Sequence, residues 1–151
     1  MANVKDIDRG WNNILRELEK AKQMEVAVGI LEGSQNEGTS IAEYAAYNEF
    51  GTDNIPSRPF MAMSFDENVA AIDSDFRTQS RRLVAGEVTA DQALTIIGQK
   101  HASRIQNTIT GRDILPALAP STIAAKKGST KTLVDTGAMA NAVQIEIRGR
   151  T

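Results

Sequence analysis

Between Gly51 and Phe60 the chain reads GTDNIPSRPF, and Pro56 and Pro59 leave its backbone little choice. Each proline fixes its own φ and drives the residue before it toward extended geometry, here Ile55 and Arg58. The segment just upstream is a short amphipathic helix carrying Ile41, Tyr44, Ala45 and Tyr47. It stops at Gly51, a residue free to take the left-handed conformation past a helix end. Pro59 suits the first turn of a following helix, where its missing N–H costs nothing. The expected product is a rigid helix–loop–helix corner that holds Arg58 between the prolines. Tyr44, Tyr47, Phe50, Phe60 and Phe65 make it unusually aromatic for a surface loop.

The rest of the chain supplies what such a corner can lean on. Val4, Ile7, Trp11, Ile14, Leu15 and Leu18 fall at three-four spacing and predict a first helix, slightly weakened by Gly10. From Met24 to Leu31 the period changes. Val26, Val28 and Ile30 face one way, with Ala27, Gly29 and Leu31 the other, which reads as an inner strand. EGSQNEGT at 32–39 reads as a mobile loop, and Thr39 or Ser40 can cap the short helix after it.

Downstream of Pro59, Phe65, Val69, Ile72, Phe76 and Leu83 form one continuous stripe on a helix of about 59–85, ended by Gly86. Thr89 with Gln92 is a capping box opening a second long helix, about 90–110, striped by Leu94, Ile97, His101, Ile105 and Thr108. A tight turn at Gly86 makes the two antiparallel neighbours. ILPALAP, at 114–120, is apolar yet proline-broken, so 112–132 reads as an extended segment, with Pro120 to Lys127 able to make two helical turns. Its apolar residues have little local structure to bury them, and it is expected to order on assembly. Asp135 or Thr136 can cap a short helix. Val143, Ile145 and Ile147 then alternate with polar residues as a half-buried strand.

One α+β domain follows over 1–151: a small antiparallel or mixed sheet flanked by helices. Two strands by themselves are marginal in water, so completion of the sheet by helices or a neighbouring subunit is expected.

Composition narrows the function classes. With 17 basic and 19 acidic residues the net charge is −2, which argues against a dedicated nucleic-acid binder. The absence of cysteine removes disulfides, thiolate metal sites and a cysteine nucleophile. The polar start MANVKDIDRGWNN is unlike a secretory signal, and no apolar run reaches the roughly 20 residues of a membrane span. A soluble cytosolic protein is expected.

Chemistry-bearing patterns are sparse. His101 is the single histidine and lies on an apolar stripe without a sequence neighbour to orient it as a base. Metal-ligand spacings and a glycine-rich phosphate loop are missing, so neither a metal nor a cofactor is expected. LVDTGAM at 133–139 resembles the aspartic-protease loop, which works as a pair of carboxylates sharing a proton. With one copy per chain, Asp135 would need a homodimer. The β-rich segment that follows the aspartate in those enzymes is absent, so a capped turn is the simpler reading. Lys126, Lys127 and Lys131 make a small basic loop, either solvated or touching phosphates.

Three blocks occur in order: VAVGIL; YNEFGT with IPSRPFM; and LAPSTIAAKKG with LVDTGAM. Together they resemble the neck and tail-completion proteins of tailed bacteriophages, of the minor tail protein Z, virion-morphogenesis and related head–tail joining types. The matching positions are Asn48 to Thr52, Ile55 to Phe60, Leu118 to Lys126 and Leu133 to Gly137, across roughly residues 25–148. Many members carry a basic residue after their Asp-Thr-Gly-Leu, where this chain has Ala138-Met139-Ala140-Asn141.

The resemblance implies a non-enzymatic virion protein at the neck or tail, made in the host cytoplasm. It implies rings, often hexameric, around the DNA channel, with neighbouring neck, tail-terminator or tail-tube proteins as partners. A tail terminator or another minor tail subunit is the alternative within this class. On this reading Phe50, Ile55, Pro56, Arg58, Pro59, Phe60, Ile114, Leu115 and Leu118 are expected to contact other subunits. Lys126, Lys127 and Lys131 are candidate contacts to channel DNA, non-specific in kind.

Overall fold

The computed structural model describes residues 8, 10–33, 35–36, 38–126, 131–133 and 137–150. In chain order these are α1 (Trp11–Lys22), β1 (Met24–Ile30), β2 (Gln35–Asn36), β3 (Thr39–Ser40), α2 (Ile41–Phe50), α3 (Phe60–Val84), α4 (Ala90–Gly111), α5 (Pro120–Ala125), α6 (Ala138–Asn141) and β4 (Val143–Gly149). The class is α+β, with the expected two long helices.

Local chemistry accounts for most boundaries. Ser40 Oγ accepts the Glu43 N–H at the start of α2. Thr89 and Gln92 close their capping box at the start of α4, with Gln92 Oε1 2.9 Å from the Thr89 nitrogen. Gly86, at φ 72°, turns the chain between α3 and α4. Gly10 lies outside α1 rather than within it: it is left-handed at φ 102°, while Asp8 accepts from the backbone N–H groups of Gly10 and Trp11. Val4, Ile7, Asp135 and Thr136 lie outside the described residues. The residue preceding α6 is Gly137, in the left-handed region.

α4 is the axis of the fold. α3 runs antiparallel along one side, and the β1–β4 ribbon lies across another. β1 pairs antiparallel with β4 from Met24↔Gly149 to Ile30↔Val143, placing Val26 beside Ile147 and Val28 beside Ile145. Both side chains over Gly98 come close: a Cβ there would sit 2.7 Å from Val26 Cγ2 and 3.2 Å from Ile145 Cγ2. The core cluster joins Ile41 and Ala45 of α2, Phe60 of α3, Ala102, Ile105 and Ile109 of α4, and Ile114, Leu133, Met139, Ala140 and Val143.

Two expectations change. β1 has a strand partner on one edge only among the described residues, so it is an edge strand of a two-stranded ribbon and not an inner strand. Its second apolar face has a local cause: Gly29 receives the tip of Met61, whose Cε would lie 2.7 Å from a Cβ there.

The second change concerns α3. Its buried residues are Phe60, Ser64, Asp75, Gln79 and Leu83. Of the apolar stripe, Leu83 is buried and Ile72 is intermediate, while Phe65, Val69 and Phe76 are exposed. Hydrophobic spacing identifies residues that share a face; it does not say which face a neighbouring helix takes. Here α4 takes the adjacent, more polar strip.

The β2–β3 ladder, Gln35↔Ser40 and Asn36↔Thr39, begins within the 32–39 stretch and ends just past it. Residues 112–119 carry neither helix nor strand and include a cis Leu115–Pro116 peptide, with α5 following. No helix among the described residues is long and apolar enough to cross a membrane.

Candidate functional site

The corner between α2 and α3 is built almost entirely by groups from its own motif. The Asn48 carbonyl accepts the Arg58 N–H at 2.6 Å, and Ser57 Oγ donates to the Glu49 carbonyl at 2.8 Å. Thr52 N–H donates to the Ile55 carbonyl, while Thr52 Oγ1 accepts from the Asn54 and Ile55 nitrogens. Gly51, at φ 78°, has the Ser57 nitrogen 2.9 Å from where a Cβ would be, so both conformation and space require glycine.

Glu49 then does what no residue beside the helix start does. Its two carboxylate oxygens accept the N–H groups of Met61 (2.9 Å) and Ala62 (3.0 Å) at the opening of α3. A buried carboxylate there satisfies orphan donors and faces the positive end of the helix dipole. Pro59 occupies the position just before the helix.

Arg58 extends the clamp across the chain. Its Nε donates to the Pro116 carbonyl at 2.9 Å, and Nη2 lies 3.5 Å from the Ala117 carbonyl. The proline corner and the ILPALAP segment therefore form one site. Ile114 seals it from below in the core.

This sorts the expected contact residues. Phe60, Ile114 and Arg58, expected as partner contacts, are buried within the chain and hold the corner to the fold. Ile55, Pro59 and Leu118 are partly buried, and Pro56 is exposed. Phe50 at 80% and Leu115 at 76% are the most exposed large apolar side chains among the described residues.

No family model, curated protein or solved structure matches the chain.

Elsewhere the chemistry is structural. Lys126 Nζ donates to the carbonyls of Lys131 (3.2 Å) and Thr132 (3.4 Å), and Lys131 Nζ donates to the Thr110 carbonyl (2.6 Å). Lys127 and Asp135 lie outside the described residues. His101 is half-buried, with Phe65 edge-on at 6.2 Å and its Nδ1 without a partner. Burial, then the nearby Arg104, hold its pKa below the usual histidine range. Among the described residues no group of acidic, histidine or cysteine side chains is arranged to hold a metal ion.

A charged cluster went unread in the sequence. Asp75 is buried between α3 and α4, with Lys100 Nζ and Arg104 Nη2 each 2.6 Å from one of its oxygens. Burial alone would raise its pKa, but the hydrogen bonds and charges of Lys100 and Arg104 outweigh it and lower the pKa below the usual carboxylate value. The signal was present: an antiparallel turn centred near Gly86 sets Asp75 opposite Lys100 and its neighbour one turn on. No comparable signal marks Glu49, because its partners arrive only when the corner folds back.

Proposed function

We propose that this protein is a structural subunit of a tailed-phage virion, acting in tail completion or head-to-tail joining as one member of a ring around the DNA channel. The observation that carries the reading is the pair Phe50 and Leu115. Phe50 projects from a segment that carries the family resemblance and Leu115 from the stretch just before another, and the Arg58 bridge to Pro116 ties the two together. A loop already held in place loses less entropy on binding, and an exposed aromatic side chain is suited to a partner's pocket. The partners proposed are further copies of the chain, roughly six in a ring by the resemblance, and adjoining neck or tail proteins. Lys126, Lys127 and Lys131 enter as channel-side contacts to DNA within the same proposal.

The test replaces Phe50 and Leu115 with serine in the phage that encodes the protein. The variant, purified, keeps its helix content. Particles made with it accumulate as separate heads and tails, and the purified variant no longer forms a ring by light scattering. Fully joined, infectious particles carrying the double variant would overturn the reading.

A further inference from the structure

Among the described residues β4 has β1 as its only strand neighbour. One hydrogen bond shows which of its amides that leaves without a partner. The Arg150 N–H donates to the Gln23 carbonyl at 2.7 Å, one step beyond the Met24↔Gly149 pair. In an antiparallel ladder, pairs that exchange N–H···O bonds alternate with pairs that do not. Counting in twos from Arg150, the residues Arg148, Glu146 and Gln144 turn their N–H and C=O groups toward β1. Val143, Ile145, Ile147 and Gly149 turn theirs to the open edge. Such an edge is ordinarily blunted by a proline, a bulge or a charge on the packed face. β4 has none of these: its register is unbroken, and Val143, Ile145 and Ile147 share the face turned to α4.

Beside this edge lies an open groove of about 550 Å³. It is lined by the apolar Ala102, Val143 and Ile145 and the neutral Gln99, Ser103 and Gln106. No β1 residue lines it, so it lies on the side of β4 away from β1. Unpaired strand amides are met by an extended backbone, and an uncharged groove by apolar side chains on that backbone. β4 itself has both properties. Set antiparallel about a two-fold axis at Ile145, two β4 strands oppose Val143 to Ile147 and Ile145 to Ile145, all with outward amides. On the other face Gln144 meets Glu146, so no like charges are opposed. Neighbouring registers are worse. An axis at Glu146 sets that carboxylate against its own copy, and an axis at Ile147 puts Gly149 across from Ile145.

We infer that the open edge of β4 is a self-association site, on which β4 of a second copy of this chain adds antiparallel about Ile145. The marginal two-stranded ribbon becomes the centre of a four-stranded sheet. The contact is isologous and closes on itself, so it is distinct from the head-to-tail contact of a ring and does not depend on that reading.

The chain contains no cysteine, so introduced cysteines report the pairing. Gln144 and Glu146 are exposed, and across the axis their Cα atoms come within about 4.5 Å, inside disulfide reach. In the full-length protein, Gln144→Cys mixed with Glu146→Cys gives the mixed covalent dimer under mild oxidation, and neither variant links to itself as fast. Amide exchange reads the same contact without substitution. The Ile145 and Ile147 amides become protected as concentration rises and exchange freely on dilution, while Gln144 and Glu146 stay protected throughout. Ile147→Pro removes an outward N–H and none that serves β1, so helix content is kept and dimerisation by sedimentation weakens about tenfold. The inference is overturned if the Ile145 and Ile147 amides stay unprotected in a protein that sediments as a monomer at high concentration. It is also overturned if Glu146→Cys links to itself faster than to Gln144→Cys, or if only a different protein protects the edge.

Discussion

Arg58 Nε and the Pro116 carbonyl lie 2.9 Å apart across 58 residues of chain. Through that bond a proline-stiffened corner and a proline-broken apolar segment become one surface. The bond also explains why a buried guanidinium stands between Pro56 and Pro59: the extended backbone there aims it across the fold, and carbonyls with no helix or strand to serve accept it.

Arg58→Met keeps most of the buried stem and removes the donors. It leaves the Pro116 and Ala117 carbonyls without this partner, at a cost of about 2 kcal/mol. For a chain of this size that lowers Tm by roughly 4–8 °C. Amide exchange in 113–119 rises while exchange in α4 changes little. Unchanged protection in that segment would show that Ile114 alone anchors it.

Glu49→Ala removes the side chain that caps α3 from a distance. The loss is about 1–2 kcal/mol, the scale of a lost helix cap, and the first turn of α3 exchanges faster. Glu49→Gln recovers part of the hydrogen bonding but not the charge, and lies between. Equal stability of the three proteins, by urea unfolding, would remove the capping role.

Acid should act on the fold through two groups of opposite type. His101 has a folded pKa below its unfolded value of about 6.5, so the unfolded chain takes up a proton first as pH falls. Its contribution is whole above that value and declines below it. Asp75 also has a lowered folded pKa, so the stability it adds is present above pH of about 4 and is lost as pH falls through the lowered value. His101→Leu should flatten the fall in stability between pH 7 and 5. Asp75→Asn should cost about 2 kcal/mol at neutral pH, because Lys100 and Arg104 then repel, and should flatten the steeper acid limb. Urea midpoints measured across pH separate the two.

Gly98→Ala tests the seat of the ribbon on α4. Inside a helix alanine is normally favoured over glycine by about 1 kcal/mol. The new methyl would approach Val26 Cγ2 to 2.7 Å, and overpacking of that kind costs about 1–3 kcal/mol. The net effect is destabilisation. Gly98→Ala with Val26→Ala should recover part of it, as a double-mutant cycle would measure.

Much of this protein can be read from local chemistry. Thr89 with Gln92, Ser40 before its helix and Gly86 after another each act on neighbours a few residues away, and each sits where the pattern places it. The rigid corner at Pro56 and Pro59 is legible for the same reason, since proline restricts backbone torsion whatever surrounds it. Asp75 with Lys100 and Arg104 lies at the margin, because an antiparallel hairpin has a register that can be counted along the chain.

Other features depend on contacts between distant segments, and no periodicity encodes them. Glu49 becomes a helix cap only because the corner brings α3 back over it. Phe60 and Ile114 leave the surface because α2, α4 and the 112–119 segment close around them. The stripe on α3 is plain in its spacing, yet burial is a property of neighbours. Once Lys100 and Arg104 of α4 had paired with Asp75, the aromatic stripe was left exposed.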